Sequence, residues 1–104
     1  MPNLTRQQTL EALKVIPGVG HRVAADLWNL GLRSVSDLKG RDPEALYEQL
    51  CELQGKQIDR CMLYTLRCAV YFASNDQHEA DLLKWWNWTD KRSERQEQMR
   101  AHAG

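Results

Sequence analysis

Apolar residues recur every three or four positions along most of this chain, and this spacing predicts a series of amphipathic helices. Proline and glycine interrupt the pattern and separate five predicted helical segments. These cover about residues 5–15, 21–30, 34–38, 43–54 and 56–73. The second half of the last segment is apolar on nearly every side, which is typical of a helix in the middle of a bundle. The pattern therefore predicts an all-α fold.

Local sequence signals support the limits of these segments. Thr5 and Gln8 have the spacing of a capping box at the start of the first helix. Asp42 followed by Pro43 is typical of a capping residue and the first helical position. Asp59 beside Arg60 has the form of a capping carboxylate with a surface ion pair, and we prefer this interpretation to a catalytic pair.

The first two predicted helices are joined by residues 16–20, with the sequence Ile-Pro-Gly-Val-Gly, which we call the glycine turn. Pro17 disfavours a helical conformation for the residue before it, and the glycines allow backbone angles closed to other residues. The next helix begins with amide groups that have no partner within the helix, and such an end attracts anions. Arg22 could add a direct charge. The turn therefore predicts a phosphate site, with a plain turn between helices as the alternative.

Composition and charge restrict the possible functions. Lys plus Arg and Asp plus Glu each total 14, so the formal net charge is zero and any phosphate binding must be local. The start of the chain has no features of a secretion signal, and the longest apolar run is too short to cross a bilayer. We expect a cytoplasmic protein without a membrane partner. Since no spaced set of acid, base and nucleophile is present, we expect neither an enzyme nor a cofactor.

Three cysteines, Cys51, Cys61 and Cys68, form an odd number in a chain without a secretion signal. This pattern favours reduced thiols in the core over a disulfide framework. Together with His78 they suggest a zinc site, but structural zinc usually uses cysteines only about two to four residues apart. We therefore expect no metal.

Tryptophan is concentrated in residues 81–88, which we call the tryptophan segment. Trp85, Trp86 and Trp88 cannot all face one side of a helix. They could pack on the bundle, form a contact with a protein partner or a second copy, or stack on unpaired bases. These alternatives stay open at this stage.

The change in composition after residue 74 divides the chain into two predicted parts. Residues 1–74 form the helical domain, and residues 75–104 form a Trp-rich, charged helical extension that packs on it. From residue 89 onward the extension is charged and nearly free of large apolar residues, which predicts a solvated helix or a frayed, partly flexible end.

The glycine turn resembles the helix-hairpin-helix family, in which a Pro-Gly-apolar-Gly turn binds backbone phosphates of DNA without sequence preference. The resemblance covers residues 10–30. It implies that the glycines shape the loop and donate amides, that the valine anchors it, and that the arginine contacts phosphate. Histidine stands where the family often has proline. The nucleic-acid-binding residues implied are Gly18, Val19, Gly20, His21 and Arg22.

Further motifs lie in residues 42–47, 59–64 and 85–88. With the glycine turn, they make the chain similar to a bacterial family of pathogenicity-locus or mitomycin-resistance helix-hairpin-helix proteins. The resemblance implies a compact five-helix (helix-hairpin-helix)2-like, or SAM-like, bundle with a Trp-rich C-terminal helical extension. The segment around Gly55 would be a degenerate second hairpin.

In function, the resemblance implies weak, non-specific DNA binding linked to DNA repair or damage resistance. A protein-interaction or homodimerisation module that uses the tryptophan segment is the alternative.

Overall fold

The computed structural model describes residues 5–89, and within this range every regular element is helical. The four α-helices are α1 (Arg6–Leu13), α2 (His21–Asn29), α3 (Pro43–Gln54) and α4 (Arg60–Ser74). Short 3-10 turns lie at Val35–Leu38, Ala80–Leu83 and Trp85–Trp88. The prediction of an all-α fold is confirmed.

The predicted caps begin α1 and α3. Thr5 Oγ1 accepts a hydrogen bond from the Gln8 N–H at 3.1 Å, and the Gln8 side chain accepts one from the Thr5 N–H at 3.0 Å. Asp42 accepts a hydrogen bond from the Glu44 N–H at 3.0 Å. Because each bond lies within one turn of chain, local sequence is sufficient to place these two helix starts.

α4 begins later than the apolar pattern predicts, so the expected start near residue 56 is wrong. The Tyr47 hydroxyl on α3 donates a hydrogen bond to the Ile58 carbonyl, and the Ile58 N–H donates to Cys51 Sγ at 3.5 Å. These bonds hold the chain against α3. Asp59 then caps the helix by accepting a hydrogen bond from the backbone N–H two residues on, at 2.9 Å.

One apolar core joins all four α-helices. Its largest fully buried side chains include Leu10, Leu13, Ile16, Leu27, Leu32, Leu38, Leu46, Leu50, Leu63 and Leu66. α4 contacts α3, the turn at Val35–Leu38 and both C-terminal turns. α4 therefore packs mainly against α3 and the short turns, and a place in the middle of a helical bundle stays a prediction.

Two residues expected in the core lie at the surface: Leu53, which shares the apolar spacing of Leu46 and Leu50 in α3, and Cys61. Leu53 is 61% exposed, since the last turn of α3 borders an open cleft beside Asn29 and Leu30. Cys61 is exposed in the first turn of α4, whereas Cys51 is half-buried and Cys68 is buried. The three thiols are free.

The tryptophan segment forms 3-10 turns and packs against α4. The Trp88 indole Nε1 donates a hydrogen bond to the Leu82 carbonyl at 2.8 Å, and the Cys68 thiol donates to the same oxygen at 3.5 Å. Arg67 Nη1 donates to the Trp88 carbonyl at 2.8 Å. The predicted charged tail beyond residue 89 lies outside the described residues.

Candidate nucleic-acid interface

The glycine turn is held to the core by its apolar side chains. Ile16 and Val19 are buried, and the Val19 N–H donates a hydrogen bond to the Ile16 carbonyl at 3.1 Å. Gly18 has a φ of +82°, in the left-handed region that favours glycine. Because the side chains point inward, the backbone at Gly18 and Gly20 lies at the surface.

The N-terminus of α2 is open. Gly20 occupies the capping position with φ −93° and ψ −170°, and no side chain caps this end of the helix. A Cβ atom placed on Gly20 would meet nothing within 4 Å. The first amide groups of α2 therefore lack intrahelical partners and carry the positive end of the helix dipole. Such an arrangement suits an anion.

Two exposed side chains, His21 and Arg22, form the start of α2. Arg22 makes no ion pair within residues 5–89, and its charge acts on Asp26, one turn further along the helix. Burial raises the pKa of Asp26, and the charge of Arg22 offsets part of that rise. Of the five predicted contact residues, four are exposed, and Val19, between the two glycines, is buried.

A contact that the sequence pattern does not reveal joins the glycine turn to the tryptophan segment. A Cβ atom on Gly18 would lie 3.3 Å from Trp85 Cδ1, so the indole lies beside this exposed glycine. The two glycines of the turn therefore differ: Gly18 has an indole next to it, and Gly20 has open space around it.

The three tryptophans of the segment have different environments. Trp85 and Trp88 are half-buried, and the Trp88 ring lies 5.4 Å from that of Tyr71. Trp86 is 53% exposed, and its ring meets the Trp85 ring edge to face, with centroids 5.9 Å apart. Packing on the bundle thus accounts for two of the indoles and leaves Trp86 at the surface.

The turn between α3 and α4, the predicted degenerate second hairpin, borders a cleft of about 570 Å³. Glu44, Glu48 and Glu52 line it from α3, and Lys56 and Arg60 face them. Since the acidic side chains outnumber the basic ones, this cleft is less suited to a phosphate than the glycine turn is.

The cysteine thiols show no sign of enhanced reactivity. Burial raises the pKa of the Cys68 thiol to about 11, and a hydrogen bond with Asp59 raises that of the Cys61 thiol. Both thiols are thereby less nucleophilic at neutral pH. The described residues contain no group of three His, Cys, Asp or Glu side chains that could hold a metal ion. None of the described helices has the length and apolar character of a membrane span.

Comparison with known proteins agrees with the resemblance carried by the motifs. The model of the Cdd1 family, described as pathogenicity locus, matches residues 6–94. The chain belongs to the pathogenicity locus family. The matched range includes both the glycine turn and the tryptophan segment of this chain.

A curated relative supports the same assignment to the pathogenicity locus family. The mitomycin resistance protein McrB of Streptomyces lavendulae is 33% identical over 81 residues, which cover 77% of this chain and 72% of that protein. No solved structure matches. A family model described by a pathogenicity locus and a relative named for resistance to mitomycin therefore both match most of this chain.

Proposed function

We propose that this protein binds DNA without sequence specificity and holds a backbone phosphate at the glycine turn. In this proposal α1, the glycine turn and α2 act as a helix-hairpin-helix, and α3 and α4 form the degenerate second hairpin of a five-helix unit. The name of the curated relative connects the family with mitomycin, and it supports a role in resistance to DNA damage.

The open N-terminus of α2 is the observation that carries the proposal. α1, α3 and α4 begin at Thr5, Asp42 and Asp59, and each of these side chains accepts a hydrogen bond from its own helix. α2 begins at Gly20 with no side-chain cap. A phosphate oxygen at this position would accept the hydrogen bonds that a capping side chain accepts elsewhere.

The side chains around this end of α2 fit the same ligand. Arg22 and His21 are exposed, and both can donate hydrogen bonds to phosphate oxygens. Contacts from amides and an arginine to a backbone phosphate carry no direct sequence information. We therefore expect weak binding, with dissociation constants of roughly 10⁻⁴ to 10⁻⁶ M at physiological salt.

The test is fluorescence anisotropy of the full chain with a labelled mixed-sequence DNA duplex over a salt series. We expect Arg22→Glu to weaken binding by roughly tenfold and to reduce the salt slope by about one. Arg41→Glu is the matched control, since Arg41 is also exposed and the substitution changes the net charge equally. Absence of binding by the unmodified protein at low salt, or equal losses in both variants, would refute the proposal.

A second candidate function is self-association, which the exposed indole of Trp86 favours. Aromatic side chains are enriched in protein interfaces, and this one is 53% exposed. Mass measurement of the intact chain over a range of concentrations separates the two functions. A dimer that Trp86→Ala converts to a monomer would support self-association, and a monomer at every concentration would refute it.

A further inference from the structure

Trp85 links the exposed indole of Trp86 to the glycine turn. A Cβ atom on Gly18 would lie 3.3 Å from Trp85 Cδ1, and the centroids of the Trp85 and Trp86 rings lie 5.9 Å apart. We propose that Trp86 is a base-stacking platform for a DNA strand whose phosphate is held at the glycine turn, and that the preferred DNA therefore contains unpaired bases. This inference rests on the proposed function.

The segment that carries Trp86 is fixed to the rest of the protein. Asn87 Nδ2 donates a hydrogen bond to the Asp81 carbonyl at 2.7 Å, and the Asn87 N–H donates to the Lys84 carbonyl at 3.0 Å. On its far side the segment is held by Trp88 and by Arg67, as described above. Because the backbone is tied at several points, little conformational entropy is lost when a ligand contacts the indole.

The chemistry of the surface favours a nucleobase. Large apolar side chains that are exposed among the described residues are Val15, Leu53 and Trp86. Of these, Trp86 is the aromatic one, and a flat indole can stack on any base because every base has a π-face. The chain has no net charge, so phosphate contacts alone give weak binding, and a stacked base would supply a contribution that does not depend on charge.

An unpaired base fits this surface better than a duplex does. Within a duplex both faces of each base are covered by neighbouring bases, and exposing one face requires unstacking. A single strand, a gap or a junction offers such a face without that penalty. The expected ligand is therefore DNA with single-stranded character, bound by one phosphate contact and one stacking contact.

The experiment compares three labelled DNAs with the full chain: a short mixed-sequence single strand, the same strand in a blunt duplex, and the same strand with its central bases removed. We expect the intact single strand to bind best. Trp86→Ala should weaken its binding by about fivefold or more without changing the salt slope, and should leave the abasic strand and the duplex unaffected. Trp86→Phe should restore most of the affinity, because phenylalanine keeps an aromatic face.

Leu53→Ala is the matched control, since it removes another large exposed apolar side chain and should change no affinity. If Arg22→Glu weakens all three DNAs while Trp86→Ala changes none, the phosphate site stands and the stacking platform is refuted. Equal losses on the intact and abasic strands in Trp86→Ala would also refute it. If the unmodified protein binds none of the DNAs at low salt, both proposals fail. If Trp86→Ala dissociates a dimer and leaves the affinity for the single strand unchanged, the stacking platform is refuted and the Trp86 surface contacts a second copy of the chain.

Discussion

The turn between α3 and α4 is closed by side chains of its own two helices, whereas the turn between α1 and α2 is not. In the turn between α3 and α4, the Tyr47 hydroxyl donates a hydrogen bond to the Ile58 carbonyl. The Asp59 carboxylate accepts one from a backbone N–H at the start of α4. In the glycine turn, Gly20 leaves the start of α2 uncapped. Trp85, from a distant part of the chain, lies beside Gly18 in this turn.

This difference separates a structural turn from a candidate binding turn. Where a side chain caps the N-terminus of its own helix, one amide group is already hydrogen-bonded and the capping side chain occupies the position of a ligand. Where the capping position is a glycine with open space beside it, that amide and that position remain available. Two turns of similar layout can thus differ in function through one capping residue and one neighbouring side chain.

The largest expected effect tests whether the two turns share one folding unit. Leu10→Ala, in α1, should lower the free energy of unfolding by about 2 to 5 kcal/mol, because it leaves a cavity in the common core. Urea unfolding followed by circular dichroism and by tryptophan fluorescence should show one coincident transition. Two separate transitions would mean that the halves of the core fold independently.

The next effect compares Gly18 and Gly55, the left-handed glycines of the two turns. Gly55→Ala should lower the free energy of unfolding by about 1 to 2 kcal/mol, the usual penalty for a Cβ atom in this conformation. Gly18→Ala should lower it by about 1 kcal/mol more, because its Cβ atom would also displace Trp85. Thermal unfolding of both variants measures the difference, and equal losses would show that the indole does not stabilise the glycine turn.

A third effect depends on pH and acts through the tryptophan segment. The folded pKa of Cys68 is about 11, above its value of about 8.5 in an unfolded chain. The neutral thiol therefore stabilises the fold below about pH 8.5, and this contribution is lost as the pH rises towards 11. We expect the free energy of unfolding, measured by chemical denaturation, to fall over this pH range, and the fall to be absent in Cys68→Ala.

The region affected by this titration distinguishes the two turns. Because the Cys68 thiol donates to Leu82 in the tryptophan segment, hydrogen exchange should rise first there and at the glycine turn. If the exchange rate at Gly55 rises at a lower pH than the exchange rate at Gly18, this link is contradicted.

The smallest expected change in stability comes from exchanging the capping residues of α2 and α4. Gly20→Asp should stabilise the protein by a few tenths of a kcal/mol, and Asp59→Gly should destabilise it by a similar amount. Gly20→Asp should also abolish DNA binding, since its carboxylate would occupy the phosphate site and repel the ligand. A Gly20→Asp protein that binds DNA as well as the unmodified chain would show that the start of α2 is not the contact.

The parts of this structure that depend on neighbours in sequence could be predicted. The starts of α1 and α3 follow from Thr5 and Asp42, whose hydrogen bonds lie within one helical turn. The conformation of the glycine turn follows from its glycines and its buried apolar residues. These features need no information from the rest of the chain.

The parts that depend on distant contacts could not be predicted. The start of α4 depends on Tyr47 on another helix besides the local cap at Asp59, so the apolar pattern alone extends the helix too far. Leu53 has the spacing of a core residue, yet its side chain is 61% exposed. The packing of Trp85 on Gly18 leaves no periodic signal in the sequence, since a glycine turn and a tryptophan cluster each occur without the other.

The contact between Trp85 and Gly18 also sets an order of events during protein synthesis. The ribosome makes the chain from its N-terminus, and at typical rates of about 5 to 20 residues per second the glycine turn emerges several seconds before the indole that lies beside it. The nascent chain therefore carries the residues of its candidate binding turn before it carries the tryptophan segment. Because one core joins all four α-helices, the two parts pack together only after α4 has been made.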